Sequence, residues 1–302
     1  MGRKHKQSGK EVFERYYLDL YQDRWESLRG ALEQSGQPVA RLNPFVEAKS
    51  EELFRAGTEV FCEDPFPHWR GAKMLAPAAG GAGDLLPYYR MDLASFFPAR
   101  ALLPLSAGMT VLDMCAAPGG KSLILAEGLG ATNHLVANDL SQERRRRLQR
   151  VLRSYLPAAV LARVRITGFD ASRWGLHERG AFQRVLVDAP CSSERHVLHS
   201  ASELALWSPA RTRHLQVRQM ALVAAAFDVL SPGGEMVYAT CSVHPGENDG
   251  IVARLLKKRG SALEILPSKA PLGEATEYGW QIFPDRGAGW GPIYWSHMRR
   301  NM

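Results

Sequence analysis

The opening stretch places Phe13, Tyr17, Leu20, Tyr21, Trp25, Leu28 and Leu32 mostly three or four residues apart. That spacing gathers them along one side of a helix, so this segment is predicted helical with a single apolar stripe. Gly36 and Pro38 end it, and Asn43-Pro44 opens a second short helix to about Gly57. From residue 59 to 86 the texture changes. Pro65, Pro67, Pro77 and the run Gly80-Gly81-Ala82-Gly83 read as a connector. Residues 90–103 then read as a helix.

Beyond residue 108 short apolar runs alternate with helical stretches. Strands are predicted at 109–114, 134–138, 164–167, 185–187 and 235–239. Helices are predicted from the glycine-rich turn to 129, and at 141–155, 209–230 and 247–258. Such alternation predicts an α/β fold, a parallel sheet with helices on both faces. In these sheets ligands bind beyond the carboxyl ends of the strands. Residues 1–86 thus read as a helical extension and connector, and 87–302 as the main domain.

Composition narrows the partners. Of 302 residues 45% are hydrophobic and 23% charged, which excludes wholesale disorder. The 38 Lys and Arg outnumber the 31 Asp and Glu to leave +7, a balance that favours a polyanion such as nucleic acid. The longest apolar run, 220–227, is far short of the ~18 residues of a membrane span, so no membrane role is expected. The basic start is followed by Glu11, Glu14 and Asp19 rather than by an apolar segment, so no secretory signal is expected and the cytoplasm is the expected compartment. Cys62, Cys115, Cys191 and Cys241 form no Cys-x-x-Cys pair, so neither zinc nor a disulfide framework is expected.

Five motifs fall at predicted strand ends. The first, Asp113-Met114-Cys115-Ala116-Ala117-Pro118-Gly119-Gly120-Lys121-Ser122, opens a helix whose free N–H groups suit a carboxylate or phosphate. It lacks the spacing of a P-loop and of the dinucleotide fingerprint, and a plain strand-to-helix turn is its alternative. The second is Asn138-Asp139-Leu140-Ser141, where Asp139 suits a ribose diol, or Asp139 or Ser141 simply caps the next helix. Third is Phe169-Asp170-Ala171, with Asp170 placed to accept an adenine amino proton or to shape a turn. The fourth and fifth are Asp188-Ala189-Pro190-Cys191 and Thr240-Cys241-Ser242. Free cysteines are usually buried small hydrophobes. At two strand ends they imply instead a disulfide or covalent chemistry, with Asp188 beside them to bond a base. Arg144 to Arg147, Arg150 and Arg153 cover a helix face that is either solvated or in contact with phosphate. His196 and His199 read as surface residues, and the N-terminal aromatics as core.

Together these motifs resemble the RNA cytosine-C5 methyltransferases of the Sun or NSUN type, over about residues 87 to 300. The resemblance implies a Rossmann-like, seven-stranded methyltransferase sheet with a small, mainly helical N-terminal extension. It implies S-adenosylmethionine as cofactor and rRNA or tRNA as partner, with or without a helper protein. Carried over, Cys115, Ala116, Ala117, Pro118, Gly119, Gly120 and Lys121 would bind the cofactor, the last three around its methionine end. Asp139 would take the ribose with Arg144 nearby, and Asp170 and Ala171 would flank the adenine. Asp188 would sit between cofactor and base, Cys241 would be the nucleophile, and Cys191 would aid product release. Cys191 is followed by Ser192-Ser193-Glu194-Arg195-His196, where many relatives are glycine-rich. With Tyr88-Tyr89-Arg90-Met91-Asp92 and Trp290-Gly291-Pro292-Ile293-Tyr294, this looks most like the branch acting on mitochondrial ribosomal or transfer RNA, which makes the mitochondrial matrix the alternative compartment. Two other roles compete: an RNA-binding ribosome-assembly factor whose methyl transfer is secondary, and a small-molecule methyltransferase.

Overall fold

The computed structural model describes residues 8–36, 38–46, 59–63, 66–70 and 84–302. Helix α1 (Gly9–Tyr21) starts at a reciprocal cap: Ser8 Oγ accepts from Glu11 N, and Glu11 Oε2 accepts from Ser8 N. A 3-10 turn at Gln22–Arg24 then leads into α2 (Trp25–Glu33), so the single predicted helix is two. Phe13, Tyr17, Trp25, Leu28 and Leu32 are buried, whereas Leu20 of the expected stripe is 41% exposed. The stripe packs on Val197, Trp207, Val243 and Phe283 from the second half of the chain. The extension therefore finishes its apolar core on the rest of the protein.

Next comes a small antiparallel sheet of β1 (Val39–Leu42), β2 (Glu59–Glu63), β3 (Phe66–Arg70) and β4 (Tyr88–Met91), in the order β2-β3-β1-β4. The connector expected across 59–86 thus contains a hairpin. Proline density misleads here. Pro67 pairs with Cys62 on one side but lies past the β1 ladder, which ends at His68, so its missing N–H breaks no bond there. The expected helix at 43–57 falls, beyond residue 46, outside the described residues. The helix expected at 90–103 also shrinks. Arg90 and Met91 still pair with β1, Asp92 then caps a 3-10 turn, and α3 (Phe96–Arg100) is short.

The main sheet follows: β5 (Thr110–Asp113), α4 (Gly120–Glu127), β6 (His134–Asn138), α5 (Gln142–Tyr155), α6 (Ala158–Leu161) and β7 (Val164–Thr167). Then come β8 (Phe182–Asp188), α7 (Glu194–Leu198), α8 (Ala201–Ala205), α9 (Pro209–Val229), β9 (Leu230–Thr240) and α10 (Asp249–Arg259). The chain closes with β10 (Leu263–Leu266), β11 (Glu274–Ala275), β12 (Trp280–Ile282) and β13 (Ile293–Arg300). The order is β11-β12-β13-β9-β8-β5-β6-β7, with β10 paired to β13. All five predicted strands are present and parallel. The sheet has nine strands rather than seven, because β13 joins antiparallel to β9 and carries the short strands β10 to β12 beyond it. Helices cover both faces, with one core around Leu123, Leu125, Leu148 and Leu152 and the other around Leu222, Ala226, Phe227 and Ile251. The chain runs outward from β5 through β6 to β7, then returns to lay β8 and β9 on the other side of β5. That reversal opens a crevice between the carboxyl ends of β5 and β8.

Candidate active site

The crevice starts at Asp113, fully buried at the end of β5, whose Oδ2 accepts from Ser122 Oγ at 2.7 Å. Burial pushes its carboxyl up to about 7. The loop then turns through Gly119, at φ +121°, a conformation that only glycine adopts without strain. A Cβ at Gly119 would lie 3.1 to 3.2 Å from Val151 and Leu148 of α5, and one at Gly120 would strike the Tyr89 ring at 2.8 Å. Both glycines thus admit neighbouring side chains, a reason the sequence does not disclose. Lys121 Nζ donates to Asp188 Oδ2 at 2.8 Å, which joins the loop after β5 to the end of β8. Burial alone would lower the lysine, but Asp188 outweighs it and the ammonium is held above its ordinary value. Around this pair lies a cavity of about 180 Å³, lined among others by Tyr89, Cys115, Ala117 and Gly120. Burial, with Asp113, Asp188 and Asp139 around it, pushes the Cys115 thiol up, so Cys115 stays protonated.

A second, narrower pocket shares Cys115 and runs past Asp139, Phe169, Asp170 and Ala171. Asp139 is 3% exposed, and its Oδ1 accepts from Ser141 N. Ser141, not Asp139, caps α5 by accepting from Arg144 N. Asp139 Oδ2 accepts no hydrogen bond; Arg144 Nη2 lies 3.3 Å away and donates to Ala117 O. A buried carboxylate oxygen that faces a pocket and accepts no hydrogen bond, with only the Arg144 guanidinium in ion-pair range, is what a ribose diol would satisfy. Asp170 caps the 3-10 turn Ala171–Leu176 through Ser172, while Phe169 stands 58% exposed beside it. Sequence reasoning passed over Asn138. Its side chain bonds Met114 O, Phe169 N, Phe169 O and Thr167 Oγ1, and so ties three strand ends together. The donor set along this crevice fits S-adenosylmethionine.

The loops after β8 and β9 carry the two cysteines. Both are free thiols, and their Sγ atoms are 2.9 Å apart, too far for the disulfide that the sequence left open. Ser193 Oγ is 3.1 Å from Cys241 Sγ. The hydrogen bond from Cys191, helped by Ser193, holds the Cys241 thiol below its ordinary value against the opposing effect of burial. The same bond, with burial, raises Cys191. The contact therefore favours the thiolate on Cys241 and the thiol on Cys191. Cys241 opens onto a cavity of about 510 Å³ lined also by Asp92, Ser95, Arg195, His196 and His199. Ser95 borders the cofactor-side cavity as well, so the two spaces adjoin.

Beneath the cysteines lies a polar cluster that sequence reasoning missed. Glu194 and Glu247 are both fully buried, joined by Ser192, Ser242, Gln219 and Tyr17. Glutamates in a polar stretch read as solvated, and nothing in their spacing marks them as core.

A family model described as 16S rRNA methyltransferase RsmB/F matches residues 100–298. The 5-cytosine rRNA methyltransferase NSUN4 of Bos taurus is 34% identical over 95% of this chain and 87% of its own. The mitochondrial tRNA (cytosine(34)-C(5))-methyltransferase of Mus musculus is 28% identical over 97% of this chain and 90% of its own. Among solved structures, a methyltransferase homolog protein from Pyrococcus horikoshii superposes with TM-score 0.76 at 23% identity, covering 96% of this chain and 95% of that one. NSun6 from the same organism, solved with SFG, gives TM-score 0.76 at 16% identity, covering 97% and 98%. Both share the fold.

Proposed function

The chain belongs to the RsmB/F family of 16S rRNA methyltransferases, and from that premise we propose that it methylates C5 of a cytosine in structured RNA, rRNA or tRNA, through a covalent bond between Cys241 and C6. The observation that carries this reading is the cysteine pair, 2.9 Å apart where the cofactor crevice meets the larger cavity. S-adenosylmethionine is the cofactor, and when bound it supplies a methyl group on a positively charged sulfur. Asp139 Oδ2 holds the ribose, Asp170 and Ala171 flank the adenine, and the backbone from Cys115 to Lys121 surrounds the methionine end. Lys121 fixes Asp188 between that end and the target base.

Cytosine C5 is a weak nucleophile. Addition of the Cys241 thiolate to C6 pushes electron density onto C5, where the new carbon–carbon bond would form as the methyl's bond to the cofactor sulfur breaks and leaves that sulfur neutral. Loss of the C5 proton to solvent, its electron pair reforming the ring double bond, and cleavage of the C6–sulfur bond regenerate the aromatic ring and return Cys241 as thiolate. Cys191, in contact with that sulfur, assists the release. The target base must be extruded from its stack or come from a single strand to enter the 510 Å³ cavity. Helices α1 and α2 act with residues 87–302 as one catalytic unit, since they pack on Val243 of the Cys241 loop. Among the described residues no helix is long and apolar enough to cross a membrane. The mitochondrial relative favours the matrix over the cytoplasm as compartment. Bisulfite sequencing of total RNA with and without the gene tests the proposal. One or a few cytosines should lose their modification, and an unchanged profile would refute it.

A further inference from the structure

The cluster below the cysteines can be counted proton by proton. Ser192 Oγ lies 2.5 Å from Glu194 Oε1 and 2.5 Å from Glu247 Oε1, and 3.0 Å from Ser242 Oγ. A hydroxyl has one proton to donate. Tyr17 OH and Ser242 Oγ spend theirs on Glu194 Oε1, and Val243 N donates to Glu194 Oε2. For both short Ser192 contacts to be hydrogen bonds, one of the two carboxyls must itself carry a proton. Glu194 has the richer set of donors and suits a carboxylate. Glu247 Oε2 accepts from Ser192 N and Gln219 Nε2, which leaves Oε1 as the protonated oxygen. Among the described residues no arginine or lysine donates to either group.

We propose that the proton on Glu247, relayed through Ser192 to Glu194, ties the Cys191 loop to the Cys241 loop and so sets the spacing of the two sulfurs. Ser192 adjoins Cys191, and Ser242 adjoins Cys241. Ser192, Glu194, Glu247 and Tyr17 are thus positioning residues, acting through the cysteines rather than on substrate. This rests on the reading of Cys241 as the reactive thiol. Burial, then the neighbouring Glu194, pushes the Glu247 carboxyl up to about 7, in keeping with a retained proton. The other titratable or charged groups facing the cluster are Tyr16, Tyr17 and Tyr21 from α1, with Arg213 of α9 acting on Tyr16, Tyr238 of β9, Cys191, Cys241, and His244 in the same loop. Loss of the Glu247 proton leaves two carboxylates about one serine oxygen and the loops repelling each other.

The test uses the full chain without RNA or cofactor. Iodoacetamide alkylation of Cys241 is followed against pH, with peptide mapping to separate it from Cys62, Cys115 and Cys191. Glu247→Gln, whose amide still donates to Ser192, should keep the low titration of Cys241. Ser192→Ala should move it up by about one pH unit, roughly a tenfold loss of thiolate near neutrality. Infrared spectra should show a protonated-carboxyl band in the wild type that Glu247→Gln removes. An unchanged Cys241 titration in Ser192→Ala overturns the tie, and the absence of a band lost in Glu247→Gln overturns the proton. If Ser192→Ala fails to fold, Tyr17→Phe removes one donor with little change in volume: an upward shift supports the tie, and no shift overturns it. None of these readouts involves methyl transfer, so their failure is separable from failure of the bisulfite experiment.

Discussion

Cys191 and Cys241 sit at the ends of adjacent parallel strands with their sulfurs 2.9 Å apart and unbonded. The contact is asymmetric in charge, because the shared hydrogen bond lowers Cys241 and raises Cys191. It is asymmetric in access as well, with Cys241 exposed and Cys191 half-buried. This asymmetry underlies the assignment of attack to Cys241.

The two cysteine variants should therefore fail differently. Cys241→Ala should form no adduct with RNA and show only background methyl transfer. Cys191→Ala keeps the nucleophile, so it should accumulate a protein–RNA adduct on a denaturing gel, with turnover reduced by roughly 10²–10⁴-fold, the range for loss of proton-transfer assistance. An adduct in Cys241→Ala, or none in Cys191→Ala, would reverse or remove the assignment.

Asp139 Oδ2 is buried with no hydrogen bond of its own. If it accepts the ribose hydroxyls, Asp139→Ala loses charge-assisted hydrogen bonds worth about 1.5–3 kcal/mol, or roughly 10- to 150-fold in cofactor affinity by calorimetry. Asp170→Ala should cost less, because Asp170 is exposed and already committed to Ser172. Equal losses at the two positions would remove Asp139 from its special role.

Strands β5, β6 and β8, and the end of β9, were legible because each carries a short apolar run ending at an Asp, Asn or Thr, a pattern set by burial on two faces; the less buried β7 was placed by the alternation with helices. The hairpin of β2 and β3 was not legible, because Pro67, placed just past the β1 ladder, looks in sequence like a proline in a loop. Strand β13 was not predicted because its apolar start, Ile293-Tyr294-Trp295, gives way at once to Ser296, His297, Arg299 and Arg300, so it shows neither an apolar run nor a two-residue alternation over its length. In the site, residues at strand ends could be named from topology alone. Glu194, Glu247 and Tyr17 could not, because their meaning lies in a contact between segments 177 and 53 residues apart in the chain. A buried carboxylate is visible in sequence only when its partner is close by.

Arg41 of β1 donates through Nη1 to both carboxylate oxygens of Glu127, at 2.7 and 2.6 Å, with both side chains almost wholly buried. The pair clamps the small sheet to the end of α4, the helix that follows the cofactor loop. Arg41→Met should destabilise the protein by about 3–5 kcal/mol in urea unfolding, because it strands a buried carboxylate. Replacing Glu127 by Met as well should recover most of that loss. A double variant no better than the single one would show that the clamp acts by packing rather than by charge.

Asp113 gives stability a pH dependence opposite to that of an ordinary ion-paired carboxylate. Its folded-state carboxyl is pushed up from 3.8 to about 7, burial being the main cause. The folded protein then holds a proton that the unfolded chain releases at lower pH. The contribution to stability is full below about pH 4, where both states are protonated, and is lost as pH rises through 7. Glu247, pushed up from 4.5 to about 7, works in the same direction. Melting temperature should therefore fall between about pH 4 and 7, by roughly 2–4 °C per kcal/mol for a chain of this size, and level off above that. Asp113→Asn keeps an amide that can pair with Ser122 but removes one titration, so its decline should be shallower, and the double variant with Glu247→Gln shallower still. Melting curves of wild type and Asp113→Asn with the same slope would show that Asp113 is ionised in the fold.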